Sequence, residues 1–370
     1  MTDAKFLQIH TLTGYSAALL NRDDTGLAKR LPFGNAMRTR ISSQCLKRHW
    51  RIADDPNGLG KIDGAEAAYR SRELVTHLVI DPLRGRFDEA VIDAIEPEIQ
   101  MAVYGDKGTA KASRQTLLFG APEIAWLKAQ AEALAGAADP AEVVKEWRKE
   151  FKANIKAMRE AATLPGGLTS ALFGRMVTSD TAANITAPVY VAHAFTTHEE
   201  EAESDYFTAV DDLSGDEPGA DTIQDTELTS GIFYGYAVID LAGLRANLGG
   251  DAALAGQVVR SLIHLIAEVS PGAKLGSTAP FGRAGLMLVE AGDRQPRSLA
   301  EAFREPSAPN LPAAASALSV QLEALDRAYD TGETRRVLSL VNQPVPGADP
   351  ASLRELADWA AAVAATGAAS

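Results

Sequence analysis

A single cysteine, Cys45, stands in a chain of 370 residues, which excludes an intramolecular disulfide framework and a cysteine-rich zinc site. Aromatic residues make up only 6 % of the chain, so any partner held by ring stacking must be met by a few rings. No stretch approaches the roughly 20 apolar residues of a membrane span. The opening MTDAKFLQIH has neither the basic start nor the long apolar core of a signal peptide. These absences predict a soluble, cytoplasmic protein with no membrane partner. No HExxH and no GxSxG is present, and PGAKLGST (271–278) fails the GxxxxGK[ST] spacing of a phosphate loop. The net charge of −13 argues against polyanion binding over the whole surface and favours one localised site on a self-repelling body.

Two further absences are local. Residues 29–51, KRLPFGNAMRTRISSQCLKRHWR, carry seven Lys or Arg and no Asp or Glu. With Arg22 just upstream, this density suits a groove that follows a phosphate backbone. A charge run is usually a solvated face, but no acidic side chain is interleaved here to neutralise it. The converse holds between His198 and Leu228, where twelve acidic residues occur without a Lys or Arg. Flanked by strand-like runs, that stretch reads as a long exposed hairpin.

Phe6–Leu12 alternates apolar and polar residues, as in a half-buried strand. A Gly- and Asp-punctuated loop follows, to Gly34. Ser42 or Ser43 then caps a helix that runs to about Ala53. On it Cys45, Leu46, His49, Trp50 and Ala53 share one face, and Gln44, Lys47, Arg48 and Arg51 the other. Residues 60–162 read as mostly helical, broken near Pro82, Gly105–Gly108, Gly120–Pro122 and Gly136–Pro140. Over 140–162 Lys145, Arg148, Lys149, Lys152, Lys156 and Arg159 fall on the wet side. Strands return at 188–196, 207–210, 231–240 and 285–290, with a helix at 254–268. Residues 291–315 look like a loose connection, and 352–365 like a packed terminal helix. The order predicts an α+β sheet domain carrying a helical insertion.

Several residues have chemistry that admits two readings. The helix start at Ser42–Ser43 offers backbone N–H groups and a dipole suited to phosphate. Asp23–Asp24, in NRDDTG, could hold a divalent cation for phosphodiester chemistry, or could cap a turn. Lys274 either touches a phosphate or is a plain turn lysine. His193 and His198 would point to opposite sides of a strand and make a poor ligand pair. GIFYGYAVI (231–239) has the texture of an RNA-recognition strand without its leading basic residue, and Phe233, Tyr234 and Tyr236 suit core packing equally. Met176 and Phe207 are apolar residues in polar surroundings, either loop anchors or wedges that could unstack bases.

Together these blocks resemble the CasC family, the backbone subunit of the type I-E CRISPR surveillance complex called Cascade. The resemblance rests on Leu20–Gly26, on FG followed by RTRISSQ within Phe33–Gln44, and on LKR (46–48). GRMVTS (174–179), AHAFTTH (192–198), DYFTAVDDL (205–213), SGIFYGYAVIDL (230–241), NLGG (247–250) and PGAK (271–274) carry it through nearly the whole chain. It implies an RRM-like (ferredoxin-like) palm, a large helical finger insertion and a β-hairpin thumb. The palm would comprise 1–59, 182–196 and 231–370, the last with the C-terminal helices; the fingers 60–181; and the thumb 197–230. It further implies a non-catalytic antiviral-defence subunit that stacks in copies along the CRISPR guide RNA, beside other Cascade subunits. The guide would pair with target DNA between periodically kinked bases. Arg22, Lys29, Arg38, Arg40, Gln44, Lys47, Arg48 and Arg51 fall on the family's guide-backbone surface, with Ser42 at the helix start and Lys274 as further candidates. Met176, Phe207 and Thr208 fall where the family packs against kinked bases. No cofactor or metal is implied; the rival expectation is a metal-dependent ribonuclease using Asp23 or Asp24. The acidic thumb is expected to face Lys or Arg of a neighbouring subunit.

Overall fold

The computed structural model describes residues 3–177, 180–210 and 220–369, with the backbone alone over 206–210 and 220–225. The chain divides into two units: Met1–Leu59, Tyr190–Leu241 and Gly256–Ser370 form one, Gly60–Val189 and Ala242–Ala255 the other. The insertion expected over 60–181 thus runs on to Val189 and also takes in 242–255, a segment assigned from sequence to the sheet domain. The added segment is tied down within its unit, because Asn247 donates through Nδ2 to the carbonyls of Ala171 (2.9 Å) and Thr186 (2.8 Å).

From the amino end, β1 (Phe6–Ala18), β2 (Arg30–Phe33) and β3 (Ala36–Ile41) lead into α1 (Ser43–Ile52). Next come β4 (Ala68–Ser71), α2 (Glu89–Tyr104), β5 (Leu117–Gly120), α3 (Ala121–Ala135), α4 (Pro140–Ala161) and α5 (Gly167–Phe173). The chain returns through β6 (Val189–Val191), β7 (Ala194–Thr196), β8 (Ala202–Val210) and β9 (Ala220–Asp240). It ends with α6 (Leu241–Asn247), α7 (Ala252–Glu268), the single turn α8 (Leu275–Thr278), β10 (Ala284–Gly292), α9 (Leu311–Tyr329), β11 (Thr334–Ser339), β12 (Ala348–Pro350) and α10 (Leu353–Thr366).

The main sheet has the order β12-β11-β10-β1-β9-β7-β3-β2, with β6 and β8 also paired to β9. Only β11 and β12 run parallel among the registered pairs. β1 lies between β9 and β10, with Ile9 opposite Ala237 on one side and Val289 on the other. This central place explains why β1 is longer than its alternation predicted, and why Gln8 and His10 are buried along with Leu7 and Ile9. The two faces carry different partners. Tyr234, Leu12, Leu286 and Leu288 pack with Ala314, Leu318 and Leu322 of α9, and with Leu299 and Phe303. Phe233, one residue along, packs instead with Ile41, Ala194, Cys45 and Leu46 beside α1. Leu299 and Phe303 are fully buried, so the supposed loose connection at 291–315 is anchored. Its Pro- and Arg-rich composition masks two strong apolar contacts, and α9 has no counterpart among the segments predicted from sequence.

The second unit is built on helical periodicity. Ile92, Ile95 and Ile99 of α2 meet Leu127, Ala131 and Leu134 of α3 and Val144, Phe151 and Ile155 of α4, each set spaced to share one face. Glu123 is buried and accepts from Arg159 (2.5 Å) and Arg175 (2.6 Å). Arg159 therefore leaves the wet face of α4 that its spacing suggested.

The acidic stretch forms a hairpin. β8 pairs with the outer half of β9 from Ala202↔Thr229 to Val210↔Ala220, and β9 continues inward without a break to pair with β1. Residues 211–219 lie outside the described residues. At the hairpin root the His198 imidazole accepts through Nε2 from the Ile232 N–H (3.1 Å). A Cβ on Gly231 (φ 148°) would lie 2.1 Å from that Nε2, so this position admits only glycine.

Inside the sheet, Glu290 on β10 accepts from Arg297 (2.6 Å), from Arg335 of β11 (2.6 Å) and from His10 Nε2 (3.1 Å). His10 Nδ1 in turn accepts from the Tyr234 hydroxyl (2.9 Å), which accepts from the Leu299 N–H (2.9 Å). Burial alone would raise the Glu290 pKa, but the bonds from Arg297 and His10 outweigh it and hold the group well below the usual carboxylate range. Burial lowers His10 and keeps it neutral. Both folded values lie below the unfolded ones, so both groups favour folding less as pH falls. Stability should decline once pH drops below about 6.5, where the unfolded histidine takes up a proton. It should decline further through the carboxylate range as unfolded Glu290 protonates. Glu290→Gln leaves two largely buried guanidinium groups short of charge and should lower the unfolding free energy by about 3–5 kcal/mol. Urea denaturation between pH 8 and 4 measures both effects; equal stability of the variant would refute the pairing.

Candidate nucleic-acid interface

The seven cations of residues 29–51 divide by environment. Arg38 is fully buried, and its guanidinium donates to the carbonyls of Thr196 (3.2 Å) and Phe303 (2.8 Å). Its assignment to an RNA-backbone surface is corrected by this placement: Arg38 ties β3 to β7 and to the 300–303 turn. Arg30 pairs with Glu200 and Glu227, one on each side of the acidic hairpin root. Ser42 is buried and is the N-cap of α1: its Oγ accepts from the Cys45 N–H (3.2 Å), and its own N–H donates to Asn21 Oδ1 (2.9 Å). Its assignment as a ligand contact is corrected to that of a cap, which the Ser-Ser signal had allowed.

The other cations converge. Arg40 donates through Nε to the Arg30 carbonyl (3.1 Å) and through Nη1 to His193 Nδ1 (3.0 Å). His193 is exposed, yet its pKa is lowered, first by desolvation and then by Arg40, Lys29 and Lys47. Of these, Arg40 from β3 bonds the imidazole directly, while Lys29 from the loop before β2 and Lys47 from α1 act on it electrostatically. Lys29 and Arg48 also act on the Cys45 thiol, whose pKa burial raises. Gln44 and Arg48 are exposed on α1, with Lys47 and Arg51 half-buried on the same side. Among the described residues, Lys29 and Arg48 make no salt bridge. A shared surface of cations is suited to an anion.

Beside it lies an open cleft of about 580 Å³ lined by Asn21, Arg22, Asp24, Cys45, His49 and Ala273, among others. Asp23 does not offer its carboxylate freely here. Its Oδ1 accepts from the Thr25 hydroxyl (2.7 Å) and from the N–H groups of Thr25 (2.9 Å) and Leu27 (3.0 Å). The Thr25 hydroxyl bond is the main cause of its lowered pKa. This is the turn-capping geometry that the NRDDTG spacing allowed. Among the described residues no group of three or more His, Cys, Asp or Glu is placed to hold a metal ion.

The other predicted residues have their own settings. Lys274 Nζ donates to Thr226 of β9 and so braces the hairpin. Met176 belongs to the second unit and is 73 % exposed. Phe207 and Thr208 lie in β8 opposite Gln224 and Ile223, with side chains outside the described residues. Phe233 and Tyr234 are buried on opposite faces, and the Tyr236 hydroxyl donates to Gln8 Oε1 (2.9 Å), so those sheet rings pack inward. His193 is the residue that sequence reasoning missed. Its signal was the pairing of AHAF with RTRI, which brings position 193 beside Ser42 and Arg40 once β3 and β7 are in register.

The geometry defines a mixed α+β protein with an acidic hairpin and a cationic surface at β3 and α1. The chain belongs to the CT1975-like protein family, whose model matches residues 7–361. A chain of a solved "CRISPR RNA-guided surveillance complex, pre-nicking" is similar with a TM-score of 0.78 at 25 % identity, over 97 % of this chain and 100 % of that one. A chain of a "CRISPR RNA-guided surveillance complex" shares the fold with a TM-score of 0.71 at 22 % identity, over 96 % and 99 %. No curated protein matches in sequence. Among the described residues no helix is long and apolar enough to cross a membrane.

Two outcomes check the division of the cations. His193 should titrate below 6.5 in imidazole NMR, and Arg40→Ala should move it upward by removing a neighbouring positive charge. Arg38→Ala should destabilise the fold by on the order of 1–3 kcal/mol per orphaned carbonyl, read as a lower melting temperature.

Proposed function

We propose that this chain is a non-catalytic backbone subunit of a type I-E Cascade-like CRISPR surveillance complex. Copies of it line a guide RNA, whose phosphates are held by Arg22, Lys29, Arg40, Gln44, Lys47, Arg48 and Arg51. The observation that carries this reading is the cation cluster around His193 and α1, in a chain otherwise dominated by negative charge. The near-complete overlap with a chain of an RNA-guided surveillance complex supports it. Phosphate contacts supply affinity without reading sequence. Specificity is left to base pairing between the guide and its target DNA, as in other RNA-guided systems. Met176, Phe207 and Thr208 act on kinked bases, the acidic hairpin meets a neighbouring copy's cations, and head-to-tail contacts extend the row.

Lys47→Ala with Arg48→Ala should weaken single-stranded RNA binding with little sequence bias. The slope of log affinity against log salt should fall by about 1.4, at ~0.7 for each lost contact with a single strand. Anisotropy titrations across a salt series decide it, and an unchanged slope rejects the assignment. Purified protein with guide and Mg²⁺ should leave labelled RNA and DNA intact. Cleavage lost in Asp24→Asn would replace the scaffold reading with a nuclease.

A further inference from the structure

The acidic hairpin leaves the sheet through a joint built around one histidine. His198 is 2 % exposed and uses both ring nitrogens. Its Nδ1–H donates to the Glu199 carbonyl (2.6 Å), which leaves Nε2 as the acceptor for the Ile232 N–H (3.1 Å). The two bonds together require the neutral ring. The ring fills space that only the missing Cβ of Gly231 opens. On one side of it the Thr197 N–H donates to the Ile232 carbonyl (2.8 Å), the Thr196 hydroxyl to the His198 carbonyl (3.0 Å), and the Ser307 N–H to the Thr197 carbonyl (2.9 Å). On the other, the register of β1 and β9 shifts between Tyr15 and Ala18, and Ala17 (φ 47°) adopts the left-handed region that non-glycine residues avoid. The Ala17 N–H donates to Ser230 Oγ (2.9 Å), and the Thr229 hydroxyl to the Ala18 carbonyl (3.0 Å). Thr229 is also where the β8 pairing begins, opposite Ala202. The seated imidazole thus lies where β9 passes from sheet to hairpin.

We propose that His198 is a proton-operated latch that fixes the direction in which the acidic hairpin leaves the sheet. Uptake of one proton at Nε2 turns the only acceptor of the ring into a second donor, which then faces the Ile232 N–H. That bond is lost, and a buried cation without an acceptor is costly, so the charged ring leaves its seat. The charged and titratable groups on the elements that meet at the joint do not hold it there. Arg38 of β3 is enclosed by carbonyls, and Glu199 and Glu305 act on it. Glu200 and Glu227 are taken by Arg30, Arg304 by Glu301, and the Tyr15 side chain is bonded to Ser270. Outside its seat the imidazolium emerges beside the exposed carboxylates of Glu199, Glu201 and Glu203. A proton that suits the released ring and not the seated one shifts the joint toward release. This device is independent of the reading of the chain as an RNA scaffold.

The test follows amide hydrogen exchange in the full-length protein from about pH 8 to 5, a span that covers ordinary imidazole titration. Protection factors are read at Ile232 and over Ala202–Asp205 of β8, with Ala237 and Val289 beside β1 as references for any global loss of stability. The His198 ring is followed by NMR in the same samples. Protection at Ile232 and in β8 should fall by roughly tenfold relative to the references, with a midpoint that coincides with titration of the His198 ring. In His198→Gln, whose side chain accepts a hydrogen bond but takes up no proton in this range, the step should vanish. A step that persists in His198→Gln, or one shared equally by Ala237 and Val289, overturns the proposal. Wild type decides the matter alone if the variant does not fold. There, a ring that titrates with no change at Ile232, or that stays neutral across the range, also overturns it.

Discussion

The Arg30 guanidinium, held between Glu200 and Glu227, is the interaction on which the candidate interface depends. It joins the acid-free stretch to the acid-rich hairpin at the point where they meet. The Ala28 N–H also donates to Glu227 (2.6 Å), and the Glu200 N–H to the Met37 carbonyl (2.8 Å). Both carboxylates are thereby engaged at the hairpin root. Lys29, Arg40 and Arg48 stand near the His193 imidazole and the Cys45 thiol, on which they act electrostatically. Like charges gathered in this way repel, so an arriving anion relieves an unfavourable field as well as making contacts.

Burial decides which charges belong to the fold. Arg38 and Glu290 both lie out of solvent, and each is matched by its surroundings. Arg38 is surrounded by carbonyls, and Glu290 by two guanidinium groups and an imidazole. A charge left unmatched at either place would carry a heavy desolvation penalty. The same network holds Tyr234 inward and joins β1, β9, β10 and β11. The sheet face is accordingly a packed core, and the exposed cations lie along its edge, at β3, α1 and the loop before β2.

Much was legible in the sequence where the signal was local. The helix capped by Ser42 appeared almost to the residue, ending at Ile52, because its cap directly precedes the ten helical residues that carry the amphipathic spacing. The terminal helix, with Ser352 and Glu355 closing a capping box, was equally clear. The hairpin was signalled by its charge, although β9 runs 21 residues and merges with the central sheet. Non-local signals were lost. α9 and the anchored segment before it depend on Leu299 and Phe303 meeting the far face of the sheet, and no short window contains that meeting.

The sequence by itself determined the charge segregation, the basic face of α1 and the likeness to its family, because composition and short-range spacing carry all three. Only the tertiary structure decided which of the seven cations are held inside the fold and which reach the surface. Arg30, Arg38 and Arg40 are alike in type and lie within eleven residues. One is held by carboxylates, one is inside, and one is aimed by His193. The physical reason is that an arginine's availability is set by what packs around it. Those neighbours, at 193, 196, 200, 227 and 303, are remote in the chain and adjacent only in the fold.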